Sequence, residues 1–203
     1  MKTLAILGAS GHGKVIADIA EQVGWDNIVF FDDKWPLIKK VLKWPIIGDT
    51  NSQLIEQYEN FFVAIGNNSI RKEKTLMLLH ENKKLPNLIH PSAIISKYTN
   101  IGKGIVITEN AIVKISSSIG DGVVINSNSV IGHDCIIGDF SHITPSCSIA
   151  GHVSIGECSW IGNGSSVRQC ISIGENVMIG SGAVVVKNIP SNMTVIGNPA
   201  RPI

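Results

Sequence analysis

The chain has 203 residues, with 17 basic and 16 acidic side chains, so its formal net charge at pH 7 is +1. A balance this close to zero, without a basic stripe, argues against nucleic acid and anionic membrane as partners. No apolar stretch has the length of a signal peptide or a membrane span, which predicts a cytoplasmic protein. The length of the chain predicts one large or two small domains.

The N-terminal third begins with a nucleotide-fold pattern. A buried strand is predicted over Thr3–Leu7, followed by a glycine-rich loop at residues 8–13 and a helix over Lys14–Val23. A second strand over Asn27–Phe31 ends at the acidic pair Asp32–Asp33, about 20 residues after the loop, where nucleotide folds place ribose contacts. The glycines are spaced Gly-x-x-Gly-x-Gly, so the motif alone is equally compatible with a structural turn.

The remainder of this part predicts a small α/β domain. Residues 34–44 are basic and contain tryptophan between two prolines, which indicates a surface excursion with a solvated lysine face. A short helix over Gln53–Tyr58 and a third strand over Phe61–Ile65 follow. The next helix is predicted over Ser69–Glu81, with Ser69 as a possible N-cap and apolar contacts from Ile70, Leu76, Leu78 and Leu79. We therefore predict a Rossmann-like domain with parallel strands over residues 1–82.

The C-terminal part is a hexapeptide repeat. Every sixth residue from Ile101 to Val185 is Ile or Val, fifteen positions in all: Ile101, Ile107, Val113, Ile119, Ile125, Ile131, Ile137, Ile143, Ile149, Ile155, Ile161, Val167, Ile173, Ile179 and Val185. A period of six held this long excludes a helix and predicts a parallel β-helix. Three hexads close one 18-residue triangular coil, and successive coils stack about 4.8 Å apart. We predict this all-β domain over residues 83–203, including an irregular tail.

The repeat also predicts which side chains face inward. The Ile and Val side chains form columns inside the prism, and a small or aliphatic residue four places later faces inward too. Cys135 and Cys147 hold such slots, which predicts buried thiols in a reducing compartment. Gly and Asn are expected near corners, where positive φ is needed, the asparagines being Asn110, Asn126, Asn128, Asn163 and Asn176.

Candidate catalytic residues cluster in the middle of the repeat. His133 is third in its hexad, outside the aliphatic columns, and Asp134 follows it; His142 is last in its hexad, which predicts a corner position. An outward histidine beside a carboxylate can act as a general base near neutral pH. Acyl transfer from a thioester needs such a base and an oxyanion donor, for which the Gly151 N–H is a candidate.

Each of these residues also has a plainer interpretation. A lone surface histidine is usually only solvated. A zinc site of His133, His142 and His152 is disfavoured because these residues lie nine and ten positions apart, unlike the histidines of zinc enzymes on this fold. A nucleophilic Cys147 or Cys158 lacks an assigned base.

Taken together, the two halves resemble the NeuD/PglD-like sugar O-/N-acetyltransferases of bacterial glycan biosynthesis. The resemblance is carried by the segments Gly8–Val15, Phe31–Asp33, Ala64–Asn67, Gly132–Asp134, Gly138–His142 and Gly197–Ala200. Within that family the chain looks most like N-acetyltransferases acting on UDP-4-amino-4,6-dideoxy sugars, as in bacillosamine synthesis. The left-handed sense of the β-helix is implied by this resemblance alone.

The resemblance implies a role for each matched residue. His133 would take a proton from the sugar 4-amino group, with Asp134 orienting it. His142, the Gly151 N–H and Lys187 would contact acetyl-CoA, the only co-substrate, with no metal. The UDP portion would be held by Ser10, Gly11, His12, Gly13, Asp32, Asp33, Lys34, Gly66 and Asn67, with the helix N-terminus after the loop suited to a pyrophosphate. The family further implies a homotrimer with acetyl-CoA between neighbouring prisms.

Two other functions are compatible with the sequence. Acetylation of a sugar hydroxyl, as in the sialic-acid branch, needs the same base. A non-enzymatic sugar-nucleotide-binding scaffold would use the prism for assembly only, against which the outward His133–Asp134 pair argues.

Overall fold

The structure is a computed structural model that describes residues 1–203, and the chain forms two compact units, Met1–Leu88 and Ile89–Ile203. The sequence places the boundary between domains at residues 82 and 83, whereas the contacts divide the chain within the strand Leu88–Ile89. Neither unit contains a helix with the length and apolar character needed to cross a membrane.

The first unit is a five-stranded sheet with helices. Its elements are β1 (Thr3–Leu7), α1 (Gly11–Gln22), β2 (Asn27–Phe31), β3 (Lys40–Val41), β4 (Trp44–Gly48), a 3₁₀ helix (Gln53–Gln57), β5 (Phe61–Val63) and α2 (Asn68–His80). The strand order is β3-β4-β2-β1-β5, and β1 pairs in parallel with both β2 and β5. The predicted parallel β–α–β arrangement is therefore confirmed.

The sequence predicts that the segment after Asp33 is only a surface excursion, but part of it belongs to the sheet. It forms the antiparallel hairpin β3–β4, and β4 joins the edge of the sheet in parallel with β2. Trp44 is buried, and its indole Nε1 donates to Glu21 Oε1 at 3.0 Å. The prediction took the prolines and lysines as signs of a solvated loop, but the indole gains both packing against Phe30 and a hydrogen bond.

Helix α2 begins earlier than predicted, and of the predicted apolar contacts it fully buries only Leu78. The N-cap is Asn67, whose Oδ1 accepts from the Ile70 N–H at 3.0 Å, so the predicted Ser69 cap is wrong. The residues Ile70 and Leu76 are exposed. The buried positions of the helix are Asn68, Arg71, Thr75 and Leu78. The apolar pattern was misleading because a buried guanidinium, satisfied by local oxygens, takes the place of an aliphatic side chain.

The second unit is a three-sided parallel β-helix of two-residue strands. Face one contains Ile94–Ile95, Ile112–Val113, Val130–Ile131, Ser148–Ile149, Ser166–Val167 and Val184–Val185. Face two contains Asn100–Ile101, Ser118–Ile119, Ile136–Ile137, Ser154–Ile155 and Ser172–Ile173. Face three contains Leu88–Ile89, Val106–Ile107, Val124–Ile125, His142–Ile143, Trp160–Ile161, Met178–Ile179, Thr194–Ile196 and, antiparallel at its end, Arg201–Pro202. Paired residues lie eighteen positions apart up to Val185, as in Ile131 and Ile149, which confirms the predicted 18-residue coil. The last coil is shorter, since Met178 pairs with Thr194.

The interior of the prism follows the predicted columns. From Ile107 to Val185 every sixth residue is buried, and the small residues four places later are buried as well. Buried serines in these slots form hydrogen bonds to the backbone of the next coil. Ser129 Oγ donates to the Thr144 carbonyl at 2.8 Å and accepts from the Cys147 N–H at 3.1 Å. A hydroxyl thus satisfies two buried backbone groups that would otherwise cost free energy.

Positive φ is confined to one position of each corner, three residues after the Ile or Val. Asn110, Asn128 and Asn176 adopt it as predicted, whereas Asn126 and Asn163 do not. The glycine directly after the aliphatic residue has another purpose. A Cβ on Gly138 would lie 2.7 Å from the Glu157 backbone N, so this position must be bare for the next coil to approach.

Candidate active site

His133 and Asp134 form the corner that joins face one to face two. The corner lies between the strands Val130–Ile131 and Ile136–Ile137, and it turns both side chains toward solvent. His133 Nδ1 and Asp134 Oδ2 are 2.7 Å apart, the distance of a strong hydrogen bond. Adjacent residues can make this contact because Asp134 has a φ of 57°, which folds its short side chain back beside the imidazole.

The next coil adds two residues at the same corner. His152 lies eighteen positions after Asp134, its Nε2 is 3.6 Å from Asp134 Oδ2, and its ring meets the His133 ring edge to face with centroids 5.1 Å apart. Gly151 faces His133 directly, since a Cβ at this position would lie 2.5 Å from His133 Nε2. The absence of a side chain at Gly151 therefore keeps the space in front of Nε2 open.

This arrangement is suited to general-base chemistry. A carboxylate at Nδ1 fixes the tautomer that carries its proton there, which leaves Nε2 as the basic nitrogen. It also stabilises the imidazolium that forms when Nε2 accepts a proton. The Gly151 N–H donates no hydrogen bond within the chain and belongs to the residue that faces His133, which makes it a candidate oxyanion donor.

His142 is placed differently from the prediction. It is the first residue of the strand His142–Ile143 on face three, not a corner residue, and only 5% of it is exposed. Its Nε2 lies 2.7 Å from Asn126 Nδ2, and its ring packs on Trp160 with centroids 4.3 Å apart. The prediction failed because the residue before the aliphatic belongs to the strand, and the corner begins only after it.

Within one chain, His133 and His142 are therefore not brought together. His133 lies at the corner between faces one and two, and His142 lies on face three, which is opposite that corner in a three-sided coil. The structure groups His133, Asp134, Gly151 and His152, and it leaves His142 with Asn126 and Trp160.

Lys187 occupies the same corner as His133, three coils further along the prism. Fifty-four positions separate them, which corresponds to about 14 Å at the usual strand spacing. Lys187 lines a pocket of about 150 Å³ near the C-terminus whose wall includes Met193, Val195 and Arg201. A basic and apolar pocket on the corner that carries His133 is compatible with the predicted contact to a phosphate of CoA.

The predicted nucleotide-sugar residues lie at one edge of the sheet in the first unit. Because β2, β1 and β5 are parallel, the segments that follow them end at the same edge: the glycine loop, Asp32–Asp33 and Gly66–Asn67. β1 has β2 on one side and β5 on the other, so the strand order reverses here. Open α/β sheets bind ligands in the crevice at such a point.

The acidic pair is largely engaged with its own backbone. Asp32 Oδ2 accepts from the Ala9 N–H at 2.7 Å and Oδ1 from the Lys34 N–H at 3.0 Å. Asp33 Oδ1 accepts from both the N–H and the hydroxyl of Thr50, which lowers the pKa of this carboxyl. These bonds order the loops, and Ser10 at the N-cap of α1 makes no side-chain capping bond.

The glycine loop and α2 contribute two groups that sequence reasoning treated lightly or missed. Gly13 has to be glycine, because a Cβ there would overlap the Gly8 carbonyl. Arg71, 2% exposed, donates to the carbonyls of Ile65 and Gly66 and to Asn68 Oδ1 at 2.9 to 3.2 Å. Burial and this guanidinium lower the pKa of His12 to about 4, so His12 is neutral at pH 7.

His152 had a detectable signal in the sequence. The spacing of eighteen from Asp134 places the two residues at equivalent points of successive coils. Donor atoms of His133, Asp134 and His152 lie within 4.8 Å of one another, close enough to hold a metal ion. This set differs from the three histidines weighed from the sequence, since His142 lies on face three. Arg71, Asn126 and Trp160 carried no such signal.

Comparisons with known proteins cover both units. Residues 3–78 match the model of the PglD N-terminal domain, and residues 116–151 and 152–187 match the bacterial transferase hexapeptide (six repeats). UDP-N-acetylbacillosamine N-acetyltransferase of Bacillus subtilis (strain 168) is 36% identical over 111 residues, which is 53% of this chain and 51% of that protein. The aligned region thus spans about half the length of this curated relative.

Solved structures match over the full length. The acetyltransferase domain of PglB from Neisseria gonorrhoeae is 41% identical with a TM-score of 0.94, covering 100% of both chains, and it has also been solved with acetyl coenzyme A. PerB from Caulobacter crescentus, solved with CoA and GDP-perosamine, is 32% identical with a TM-score of 0.94, covering 100% of this chain and 98% of that one.

These matches confirm the predicted fold class, an α/β domain with a parallel sheet joined to a left-handed β-helix of hexapeptide repeats. The two full-length matches are 41% and 32% identical in sequence, which is more than a shared fold alone would require. They therefore relate the chain to a family of enzymes as well as to a fold. The chain therefore belongs to the NeuD/PglD-like family of acetyl-CoA-dependent, hexapeptide-repeat sugar N-acetyltransferases.

Proposed function

We propose that the protein transfers the acetyl group of acetyl-CoA to the 4-amino group of a UDP-linked 4-amino-4,6-dideoxy sugar, without an acyl-enzyme intermediate. The observation that carries this proposal is the 2.7 Å contact between Asp134 and His133 Nδ1, which leaves Nε2 as a base facing open space. The B. subtilis and C. crescentus relatives are named for amino-sugar substrates, which supports an amine acceptor.

The steps follow from the groups present. His133 Nε2 takes a proton from the sugar amine as its nitrogen attacks the thioester carbonyl, the Gly151 N–H stabilises the oxyanion, and the CoA thiolate leaves. Asp134 holds the imidazole and balances its positive charge. Variants of one histidine of the C. crescentus enzyme, to asparagine and to alanine, have been solved with CoA and GDP-perosamine, which supports a histidine of functional interest in this family.

We further propose that the active enzyme is a homotrimer with each site between two prisms. His133 and His142 lie on opposite sides of one coil, so a site that uses both needs a second copy. The bare sides of a short β-helix also gain from mutual burial. Lys187 and the C-terminal pocket would then contact CoA, and the loops after β1, β2 and β5 would hold the UDP portion.

The test is a mass-spectrometric assay of acetyl-CoA with UDP-4-amino sugars, a GDP-4-amino sugar and free sialic acid. We expect acetylation of a UDP-4-amino sugar. His133→Ala should lower turnover about 10²- to 10⁴-fold. The exposed His80, at the end of α2, provides the matched control, and His80→Ala should retain wild-type turnover. Acetylation of sialic acid alone would identify an O-acetyltransferase, and unimpaired His133→Ala would remove this base.

A further inference from the structure

The segment Lys34–Lys43, named here the basic–apolar loop, has a composition unlike the rest of the chain. Four of its ten residues are lysine and none is acidic. It leaves the sheet after Asp33, passes through β3 and returns at Trp44. The net charge of the whole chain does not reveal the local positive charge of this loop, because acidic residues elsewhere reduce the total to +1.

Large apolar side chains of this loop are in contact with solvent. Leu37 is 91% exposed and Leu42 66% exposed, and Trp35 and Ile38 are exposed as well. Single exposed apolar residues are ordinary on protein surfaces. Four within eight consecutive residues are a concentration that typically marks an interaction surface.

Folding does not account for Leu42. It is the first of the two residues that connect β3 to β4, and its φ is 50°. Tight hairpin turns favour glycine, asparagine or aspartate where φ is positive, and a leucine there is strained. Its side chain is exposed rather than packed, so the apolar group gains little burial within this unit to offset the strain.

The lysines leave most of their charge available. Lys43 pairs with Glu21 at 2.8 Å. Lys34, Lys39 and Lys40 are exposed and form no ion pair within the chain. Three unpaired cations therefore accompany the four exposed apolar side chains.

We propose that the basic–apolar loop docks the protein on the surface of an anionic phospholipid bilayer. Leucine and tryptophan at the boundary of headgroups and acyl chains bury apolar area, while neighbouring lysines contact lipid phosphates. Their long side chains allow the ammonium groups to remain at the phosphates while the methylenes cover apolar surface. Nucleic acid would use the lysines but not Leu37 or Leu42. The absence of a membrane-crossing helix is compatible with such peripheral attachment.

The experiment is sedimentation of the full chain with vesicles, without substrate, so that its result is independent of the proposed activity. Phosphatidylcholine mixed with phosphatidylglycerol is compared with phosphatidylcholine alone, at low and high salt. We expect partition onto the anionic vesicles, weakened by salt. Lys39→Ser with Lys40→Ser should weaken it about thirtyfold at low salt.

Leu37→Ser with Leu42→Gly should weaken partition about tenfold or more at both salt concentrations. Glycine suits the positive φ at position 42, so the fold is expected to tolerate this change, which circular dichroism verifies. The matched control is Leu76→Ser with Lys97→Ser, an exposed leucine and lysine outside the loop, and it should bind as the wild type does.

Three results would overturn the proposal. One is no partition onto anionic vesicles at low salt. Another is partition that the loop variants leave unchanged. The third is a change of oligomeric state in the leucine variant by analytical ultracentrifugation without lipid, which would assign the loop to a contact between copies of the chain.

Discussion

Single corner residues set the chemistry of the candidate site. From Gly104 to Gly182 the third residue after each Ile or Val of the repeat adopts positive φ, and among residues other than glycine, asparagine and aspartate do so most readily. Asp134 occupies this position beside His133, and its short side chain reaches Nδ1 from there.

Replacing Asp134 by asparagine tests the carboxylate without removing the side chain. Asp134→Asn should lower kcat about 10- to 10²-fold, because the imidazolium formed in the reaction loses its counter-charge. KM for acetyl-CoA should be unchanged, which steady-state kinetics can measure. A variant that raises KM and leaves kcat intact would assign Asp134 to binding instead.

His12 links one residue to the pH dependence of stability. Its pKa is lowered to about 4, first by burial and then by the charge of Arg71, so the unfolded chain binds this proton more readily than the folded chain. The stabilising contribution of neutral His12 to the free energy of unfolding is present above pH 6.5, the ordinary pKa of histidine. This contribution is lost as the pH falls toward the lowered pKa of about 4. Between pH 7 and pH 5 the free energy of unfolding should fall by about 2 kcal/mol for this reason.

Urea denaturation at the two pH values measures this loss. His12→Asn, which cannot be protonated in this range, should show a fall smaller by about that amount. Carboxylates titrate in both proteins, so the comparison cancels them. If the free energy of unfolding falls equally in the variant and the wild type between pH 7 and pH 5, His12 does not contribute to the pH dependence.

At the scale of the element, each coil depends on close approach to the next. The glycine after the aliphatic residue leaves room for the backbone of the following coil, and the inward serines connect coils by paired hydrogen bonds. The hexapeptide pattern thus encodes packing between coils as well as the turn within one. Helix α2 shows the opposite case, because Arg71 is buried beside Leu78 while the predicted contacts Ile70 and Leu76 are exposed.

Gly138→Ala tests the close approach. Its Cβ would lie 2.7 Å from the Glu157 N and 2.8 Å from the Gly156 C, both backbone atoms that cannot move aside cheaply. We expect a loss of about 1–3 kcal/mol in the free energy of unfolding, measured by chemical denaturation. Gly164→Asn is the matched control, because φ there is 69° and a Cβ would meet nothing within 4 Å. A control as damaging as Gly138→Ala would contradict the packing argument.

At the scale of the whole molecule, the two predicted catalytic-site histidines lie on different sides of one prism. A closed ring in which the corner of one copy meets face three of the next would bring the two histidines into one site. The exposed aliphatic residues of the prism, including Ile94 and Ile136, fit an assembly of this kind.

Mixing two inactive variants tests shared sites. His133→Ala and His142→Ala chains, unfolded together and refolded in equal amounts, should recover about a quarter of wild-type turnover if each site takes one histidine from each of two copies. Each variant refolded alone should remain impaired. No recovery in the mixture, with trimers confirmed by ultracentrifugation, would show that one copy supplies both groups.

The sequence by itself determined what is periodic and local. The hexapeptide period specified the coil, its interior columns and the position of His133, because a repeat reports its own geometry at every turn. The strands Thr3–Leu7 and Asn27–Phe31 were equally predictable from their apolar runs.

Only the tertiary structure decided what depends on contacts between distant residues. It placed His152 against Asp134, moved His142 from a corner to a face, buried Trp44 and Arg71, and exposed Leu37 and Leu42. The physical reason is that periodicity fixes the direction of a side chain relative to its own element, whereas burial, partners and pKa are set by whatever the rest of the fold brings next to it.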